Sequence, residues 1–274
     1  MKTLVVDNSP ENARIYEKLG VDRVFVDLEI NGKVARQGHL NTVISRHSIS
    51  DINPVREQLS NSDLLVRINP MNEKSGQEIE DVISAGADLL MLPMFKLASE
   101  VDTFVKLVAG RAKVVLLLET AEALARIDEI LAVEGIDEIH IGLNDLHLSM
   151  NLDFMFELLG GPLVEMLSKR ILAKGILLGI GGIARLGEGS LPAEVILKEH
   201  VRLGSTAVIL SRTFKGQKGL IEEEFKDAHD LLKSKYDEFL LLSEQELKDN
   251  LNVLKKKVSD VLNNIQKNKK CFDF

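Results

Sequence analysis

The stretch AKVVLLLETAEALARIDEILAVEGIDEIHIGLND, residues 112–145, reads as strand, helix, strand. Residues 112–119 are apolar nearly throughout, the pattern of a strand covered on both faces in a parallel sheet. Residues 120–135 set apolar side chains at three- and four-residue steps and end in Gly135, as an amphipathic helix with a glycine stop does. Residues 137–143 return to an apolar run. Two such strands joined by a helix make a βαβ unit, and parallel strands need a crossover of that kind.

The same design repeats outward in both directions. Apolar runs rich in Val, Ile and Leu recur at TLVVD (3–7), DRVFVDLE (22–29), DLLVRIN (63–69), ADLLMLP (87–93), ILLGIGG (176–182) and TAVILSR (206–212). With the two above they make eight, each followed by a turn and, in most cases, a helical pattern. Eight βα units predict an α/β fold, a (β/α)8 TIM barrel with an extended C-terminal helical segment; an open doubly wound sheet is the alternative. Ser9-Pro10-Glu11 reads as an N-cap with proline in the first turn, Ser75 to Glu78 as a capping box, and SEVDTFVKLVAG (99–110) as a helix stopped by glycine. Long gaps after strands 2 and 6, residues 30–62 and 144–175, leave room for loops or extra helices.

Residues 219–268 change character: helical in pattern, without proline, with a second capping box at Ser243 to Glu246. Two helices are expected, near 219–241 and 244–267. Leu247, Leu251, Leu254, Val258, Leu262 and Ile265 form one apolar stripe on the second. The organisation is then a catalytic barrel over residues 1–218 and C-terminal helices over 219–274 that pack on the barrel and oligomerise. Packing of the stripe on a second subunit is preferred over folding back on the same chain.

Composition narrows the classes. The 274 residues are 45% hydrophobic and carry a net charge of −8. Nucleic-acid binders show a basic stripe and membrane-surface proteins a polybasic segment, so neither partner is expected. No run reaches 18 apolar residues and the N-terminus does not read as a signal peptide, so a cytoplasmic protein is expected. The single cysteine, Cys271, excludes an internal disulfide and disfavours a thiolate zinc site.

Barrel enzymes place their chemistry at the C-terminal ends of strands. Those ends hold Asp27, Glu29, Arg67, Asn69, Glu119, Asn144, Asp145 and Arg212. A carboxylate closing the run VVLLLE is costly to bury without a partner, so Glu119 is either a metal ligand or a helix-start acid. Asp145 allows the same two readings. Taken together on adjacent strand ends, with no cysteine or paired histidine at ligand spacing, they suit Mg²⁺ or Mn²⁺. Arg67 offers a fork to a substrate carboxylate or phosphate, or pairs with Glu29 or Glu119. Glycines at 179–182 and the 204–212 region either bind phosphate through backbone N–H groups or relieve crowding. His39 and His47 are candidate bases in the loop after strand 2, His140 reads as a core residue, and His147 as a neighbour of the Asp145 site.

The runs VFVDLE (24–29), LVRINP (65–70), GADLLMLP (86–93), LLLETAEAL (116–124) and IHIGLNDLHLSM (139–150) resemble, in order, those of the HpcH/HpaI aldolase and citrate lyase β-subunit family of the phosphoenolpyruvate/pyruvate barrel superfamily. The resemblance implies a carbon–carbon lyase working through an enolate of pyruvate or a related 2-oxo acid. It implies Glu119 and Asp145 as ligands of Mg²⁺ or Mn²⁺, and Arg67 as the group that holds the substrate carboxylate. It also implies a homo-oligomer joined through C-terminal helices. Glu29 and His47 are added as catalytic candidates, and Asn69, Asn144 and Arg212 as substrate-binding ones. The family's pyruvate aldolases have a histidine after the strand 2 acid and a glutamine two residues before the metal glutamate; this chain has Ile30 and Leu117. Residues 174–215 match neither branch and suggest a phosphorylated or sugar-derived substrate. A small anionic 2-oxo or hydroxy acid is the expected partner. A citrate- or malyl-thioester lyase and an inactive barrel used as a binding subunit are the alternatives.

Overall fold

The computed structural model describes residues 1–30, 47–216 and 219–270. Eight strands close a barrel in chain order: β1 (Lys2–Val6), β2 (Arg23–Asp27), β3 (Asp63–Arg67), β4 (Leu89–Leu92), β5 (Lys113–Leu118), β6 (Glu138–Ile141), β7 (Leu177–Ile183) and β8 (Ala207–Leu210). All eight apolar runs become strands, and closure settles the choice between barrel and open sheet. By contact, residues 2–140 form one compact unit and residues 141–274, with Met1, another.

The first unit carries α1 (Pro10–Lys18), a 3-10 turn (Ile49–Asp51), α2 (Ile52–Arg56), α3 (Ser75–Ser84), α4 (Ala98–Val108), α5 (Ala121–Ala125) and α6 (Ile127–Ile130). Ser9 caps α1 as expected, its Oγ accepting from the Asn12 N–H at 3.1 Å. The capping box at Ser75 does not form. Lys74 occupies the cap position, and Glu78 accepts instead from the backbone and side-chain nitrogens of Asn69, at 3.1 and 2.8 Å. The single helix expected over 120–135 breaks at Arg126. Its N–H bonds to Ala123 O, three residues back, while its own guanidinium takes Glu122 O, the carbonyl a continuing helix would have used.

A recurring aspartate pins the strand starts. Asp22, Asp88 and Asp137, each the residue before an even-numbered strand, accept the backbone N–H of Thr3, Leu64 and Val114 on the preceding strand at 2.7–2.8 Å. At the same N-terminal end Arg23, 1% exposed, pairs with buried Glu138 at 2.8 Å. These contacts build the floor of the barrel and leave the strand C-termini for the site.

The second unit carries α7 (Leu143–Ser149), α8 (Glu157–Gly160), α9 (Pro162–Ala173), α10 (Ala193–Leu203), a 3-10 turn (Arg212–Lys215), α11 (Glu222–Phe239) and α12 (Glu244–Lys270). The gap after strand 6 is thus filled by helices. The β7 glycines relieve crowding: Gly181 sits at φ +44, and a Cβ on it would lie 2.9 Å from Leu143. Gly204 ends α10 in the left-handed region. The capping box at Ser243 forms, the Ser243 N–H donating to Glu246 at 2.8 Å and the Glu246 N–H to Ser243 Oγ at 3.3 Å. Helix α12 folds back on α10 and α8 of its own chain, burying Leu254 and Val258. Asn250 Nδ2 donates to Val195 O and Glu199 Oε1, both at 3.0 Å. At these positions the stripe is covered within the chain, where a second subunit had been preferred.

Candidate active site

The alternation of β2 puts Phe25, Asp27 and Glu29 on one face, since side chains repeat every two residues. The register of the barrel sets Asp27 opposite Arg67 on β3. The consequence is a buried ion cluster. Arg67 donates through Nε and Nη2 to the two oxygens of Asp27, each at 2.8 Å, and Nη2 lies 3.3 Å from Glu29 Oε2. The guanidinium carbon stands 5.6 Å over the Phe25 ring, an added electrostatic attraction. Asp27 and Glu29 are each 2% exposed. Burial alone would pull the Arg67 pKa down; the charges of Asp27, Glu29 and Glu119 more than reverse this and hold the group firmly protonated. Sequence reasoning offered Glu29 or Glu119 as its partner and missed Asp27, which takes the whole fork. The remaining nitrogen, Nη1, makes no hydrogen bond among the described residues.

Glu119 follows β5 and is 2% exposed. The helix-start reading fails, because Thr120 is the cap of α5 and its Oγ1 accepts from the Ala123 N–H at 3.1 Å. Glu119 Oε1 instead accepts from the N–H of Met94 at 3.2 Å. Met94 has φ +56, a left-handed conformation that costs a non-glycine residue about 1–3 kcal/mol. No residue type announces that strain, so sequence reasoning had no signal for it.

His47 comes to the end of β2, its Nδ1 accepting the Asp27 N–H at 3.0 Å. A neutral imidazole with Nδ1 as acceptor carries its proton on Nε2. In this arrangement Nε2 is the donor nitrogen of the neutral ring. The segment is tied down next door, where Asp51 accepts from Asn8 Nδ2 at 2.9 Å and from the Ser48 N–H at 2.8 Å. His39 lies outside the described residues. Asn69 is used by the protein, Oδ1 accepting from the Ile30 N–H at 3.0 Å while Nδ2 holds Glu78.

In the second unit Asp145 is half-buried in the first turn of α7, and Asn144 precedes it. His147 Nδ1 lies 3.2 Å from Leu143 O of its own helix, and Arg212 is exposed. His140 is fully buried within β6, the core residue expected.

Barrel enzymes carry their chemistry at strand C-termini, where this chain sets the carboxylates of Asp27, Glu29 and Glu119 and the guanidinium of Arg67. The HpcH/HpaI aldolase/citrate lyase family matches residues 4–156, and the chain belongs to that family, one of aldolases and citrate lyases that make or break carbon–carbon bonds. Solved structures agree in fold. An HpcH/HpaI aldolase from Desulfitobacterium hafniense DCB-2 has a TM-score of 0.57 at 17% identity, covering 77% of this chain and 85% of that one. A family protein from Burkholderia cenocepacia J2315 has a TM-score of 0.58 at 16% identity, covering 85% and 93%. A pyruvate kinase of Methylorubrum extorquens is 31% identical over 98 residues, 36% of this chain; the chain spans 20% of that relative's length.

Proposed function

We propose that the chain is a divalent-metal-dependent lyase of aldolase type that cleaves a 4-hydroxy-2-oxo acid through the enolate of pyruvate. The observation that carries this is Arg67, half-buried and held rigid by Asp27 and Glu29, with Nη1 making no hydrogen bond among the described residues, the arrangement needed to receive one small carboxylate.

The donor set suits a hard cation. Glu119 presents carboxylate oxygens in a buried position, and Asp145 presents a second carboxylate after β6. Among the described residues no group of three or more His, Cys, Asp or Glu is placed to hold a metal. Two carboxylates with water and substrate completing the shell is a coordination that Mg²⁺ or Mn²⁺ accepts. When bound, such a cation supplies positive charge beside the developing enolate.

The chain's own residues do the rest. Arg67 Nη1 binds the substrate carboxylate, and Asp27 keeps the guanidinium plane fixed. In cleavage the C4 hydroxyl loses its proton and the C3–C4 bond breaks. Its electron pair passes into the enolate, C4 becomes an aldehyde, and C3 then takes a proton. Glu29, held less closely by Arg67 than Asp27 is, takes the hydroxyl proton; His47 Nε2 supplies the proton to C3.

Calorimetric titration of Mg²⁺ and Mn²⁺ tests the metal site: Glu119→Ala and Asp145→Ala should each abolish binding. Unchanged affinity in both variants sinks that part of the reading. Cleavage assays on a panel of hydroxy-oxo acids and acyl thioesters test the reaction, and thioester cleavage alone would displace the aldolase assignment.

A further inference from the structure

Among the described residues three that are not glycine have positive φ: Met94 at +56°, Ala109 at +51° and Asn151 at +55°. Two have ordinary reasons. Ala109 is the C-cap that stops α4, a place where helices commonly turn left-handed. Asparagine tolerates the region better than most side chains. Met94 has neither reason: it lies just past β4 and ends no helix. A long side chain stays in that region where its surroundings over-determine it, and such residues cluster at active sites.

The end of β5 over-determines Met94. Two consecutive residues there hold two consecutive residues of the loop between β4 and α4. Glu119 Oε1 accepts from the Met94 N–H at 3.2 Å, and Thr120 Oγ1 donates to Phe95 O at 2.7 Å. The N–H begins the Met94–Phe95 pair and the carbonyl ends it. Both ends are therefore tied, and Met94 cannot swing back to negative φ without breaking one tie. Thr120 is the shorter and deeper anchor. It is 1% exposed and Phe95 2%, and its hydroxyl gives its proton to Phe95 while accepting from the Ala123 N–H at 3.1 Å. After Phe95, Glu100 Oε2 accepts from the N–H groups of Lys96 and Leu97 at 2.7 and 2.8 Å, which fixes the loop to α4. Lys96 Nζ also meets Glu122, but both side chains are exposed, so that ion pair adds little. All of these residues lie in the first compact unit.

We infer that Thr120 is a positioning residue for Glu119. By fixing the Phe95 carbonyl it holds Met94 in its strained conformation. Met94 in turn presents its N–H to Glu119 and aims the carboxylate. The inference rests on the reading of Glu119 as a ligand of Mg²⁺ or Mn²⁺ and deepens it. A carboxylate oriented before the cation arrives need not be ordered on binding, and loss of such an outer partner costs about 10–100-fold in metal affinity.

The test uses the full chain, labelled at methionine nitrogen for amide NMR, with the Met94 amide identified as the peak lost in Met94→Leu. Glu119→Gln exchanges a charged acceptor for a neutral one and should move that amide proton upfield. Thr120→Val has nearly the same shape but no hydroxyl. It should move the amide the same way and weaken Mg²⁺ binding about 10–100-fold in calorimetry. Thr120→Ser keeps the hydroxyl and should restore both toward the parent. Met94→Gly should unfold at higher urea than Met94→Ala, the reverse of the usual order, since both lose the side chain and only alanine keeps the strain. Thr120→Val also removes the α5 cap, which lowers the urea midpoint by itself. If it does so yet leaves the Met94 amide or the Mg²⁺ affinity at the parent value, Thr120 is a cap only and the inference fails. Failure of Thr120→Ser to restore them, or a more stable Met94→Ala, overturns it as well. The ligand reading fails separately, if the parent binds no Mg²⁺ or Glu119→Ala binds it as tightly. The Met94 amide in Glu119→Gln and Thr120→Val then still decides whether Thr120 sets that carboxylate.

Discussion

Replacing Arg67 by lysine keeps a positive charge beside Asp27 and Glu29 but removes the planar fork. The two 2.8 Å bonds to Asp27 become at most one, and nothing replaces Nη1. Folding should lose little, about 0.5–1.5 kcal/mol for one hydrogen bond. Ligand binding should lose more. A hydrogen bond to a charged group is worth about 1.5–3 kcal/mol, which is roughly 10–150-fold in affinity for a carboxylate held by Nη1. Arg67→Met makes the opposite division. It leaves Asp27 and Glu29, each 2% exposed, without their cation, and breaking such a buried pair costs about 3–5 kcal/mol. Calorimetric titration of oxalate with Mg²⁺ present measures the first effect, and urea unfolding the second. If Arg67→Lys binds oxalate within about twofold of the parent, Nη1 does not hold the carboxylate. If Arg67→Met unfolds at the parent's urea midpoint, the cluster is not the strong pairing that the geometry describes.

Arg23 and Glu138 give a stability test at the other end of the barrel. Arg23→Met should destabilise by about 3–5 kcal/mol, whereas Arg23→Met with Glu138→Leu should recover most of the loss, because no uncompensated charge stays buried; equal unfolding midpoints for the single and double variants would contradict this. Glu17 predicts an acid-sensitive contact. Burial pushes its pKa up, but hydrogen bonds from Ser62 and Asn61 overcome this and hold it at about 2, below the ordinary 4.5. A depressed carboxylate contributes stability that is present above its unfolded pKa and lost as pH falls through the folded one. The gap in urea midpoint between the parent and Glu17→Gln should therefore be full above about pH 5 and shrink toward pH 2; a constant gap would refute it.

How much of the site was legible follows from what each signal encodes. A carboxylate at the end of an apolar run is visible in one dimension, which is why Glu119, Asp27, Glu29 and Arg67 all stood among the strand-end residues. Which acid takes Arg67 was not visible, because that depends on the register of β2 against β3. Asn69 shows the same gap. Its strand-end position suggested a substrate contact, yet the fold uses its amide to tie Ile30 to Glu78. The setting of His47 was hidden for a similar reason: a loop histidine shows no partner in one dimension, and only the fold brings the Asp27 N–H to its Nδ1.

The eight strands and the two C-terminal helices were determined by sequence alone, since apolar periodicity and caps act within a few residues. Family membership was legible too, from five short runs in order. Tertiary structure decided what depends on distant residues meeting. Barrel closure, the Asp27–Arg67 fork, the Met94 N–H on Glu119 and the cover over α12 are of this kind. Local pattern fixes which way a side chain can point along its own element; only packing decides what stands in front of it.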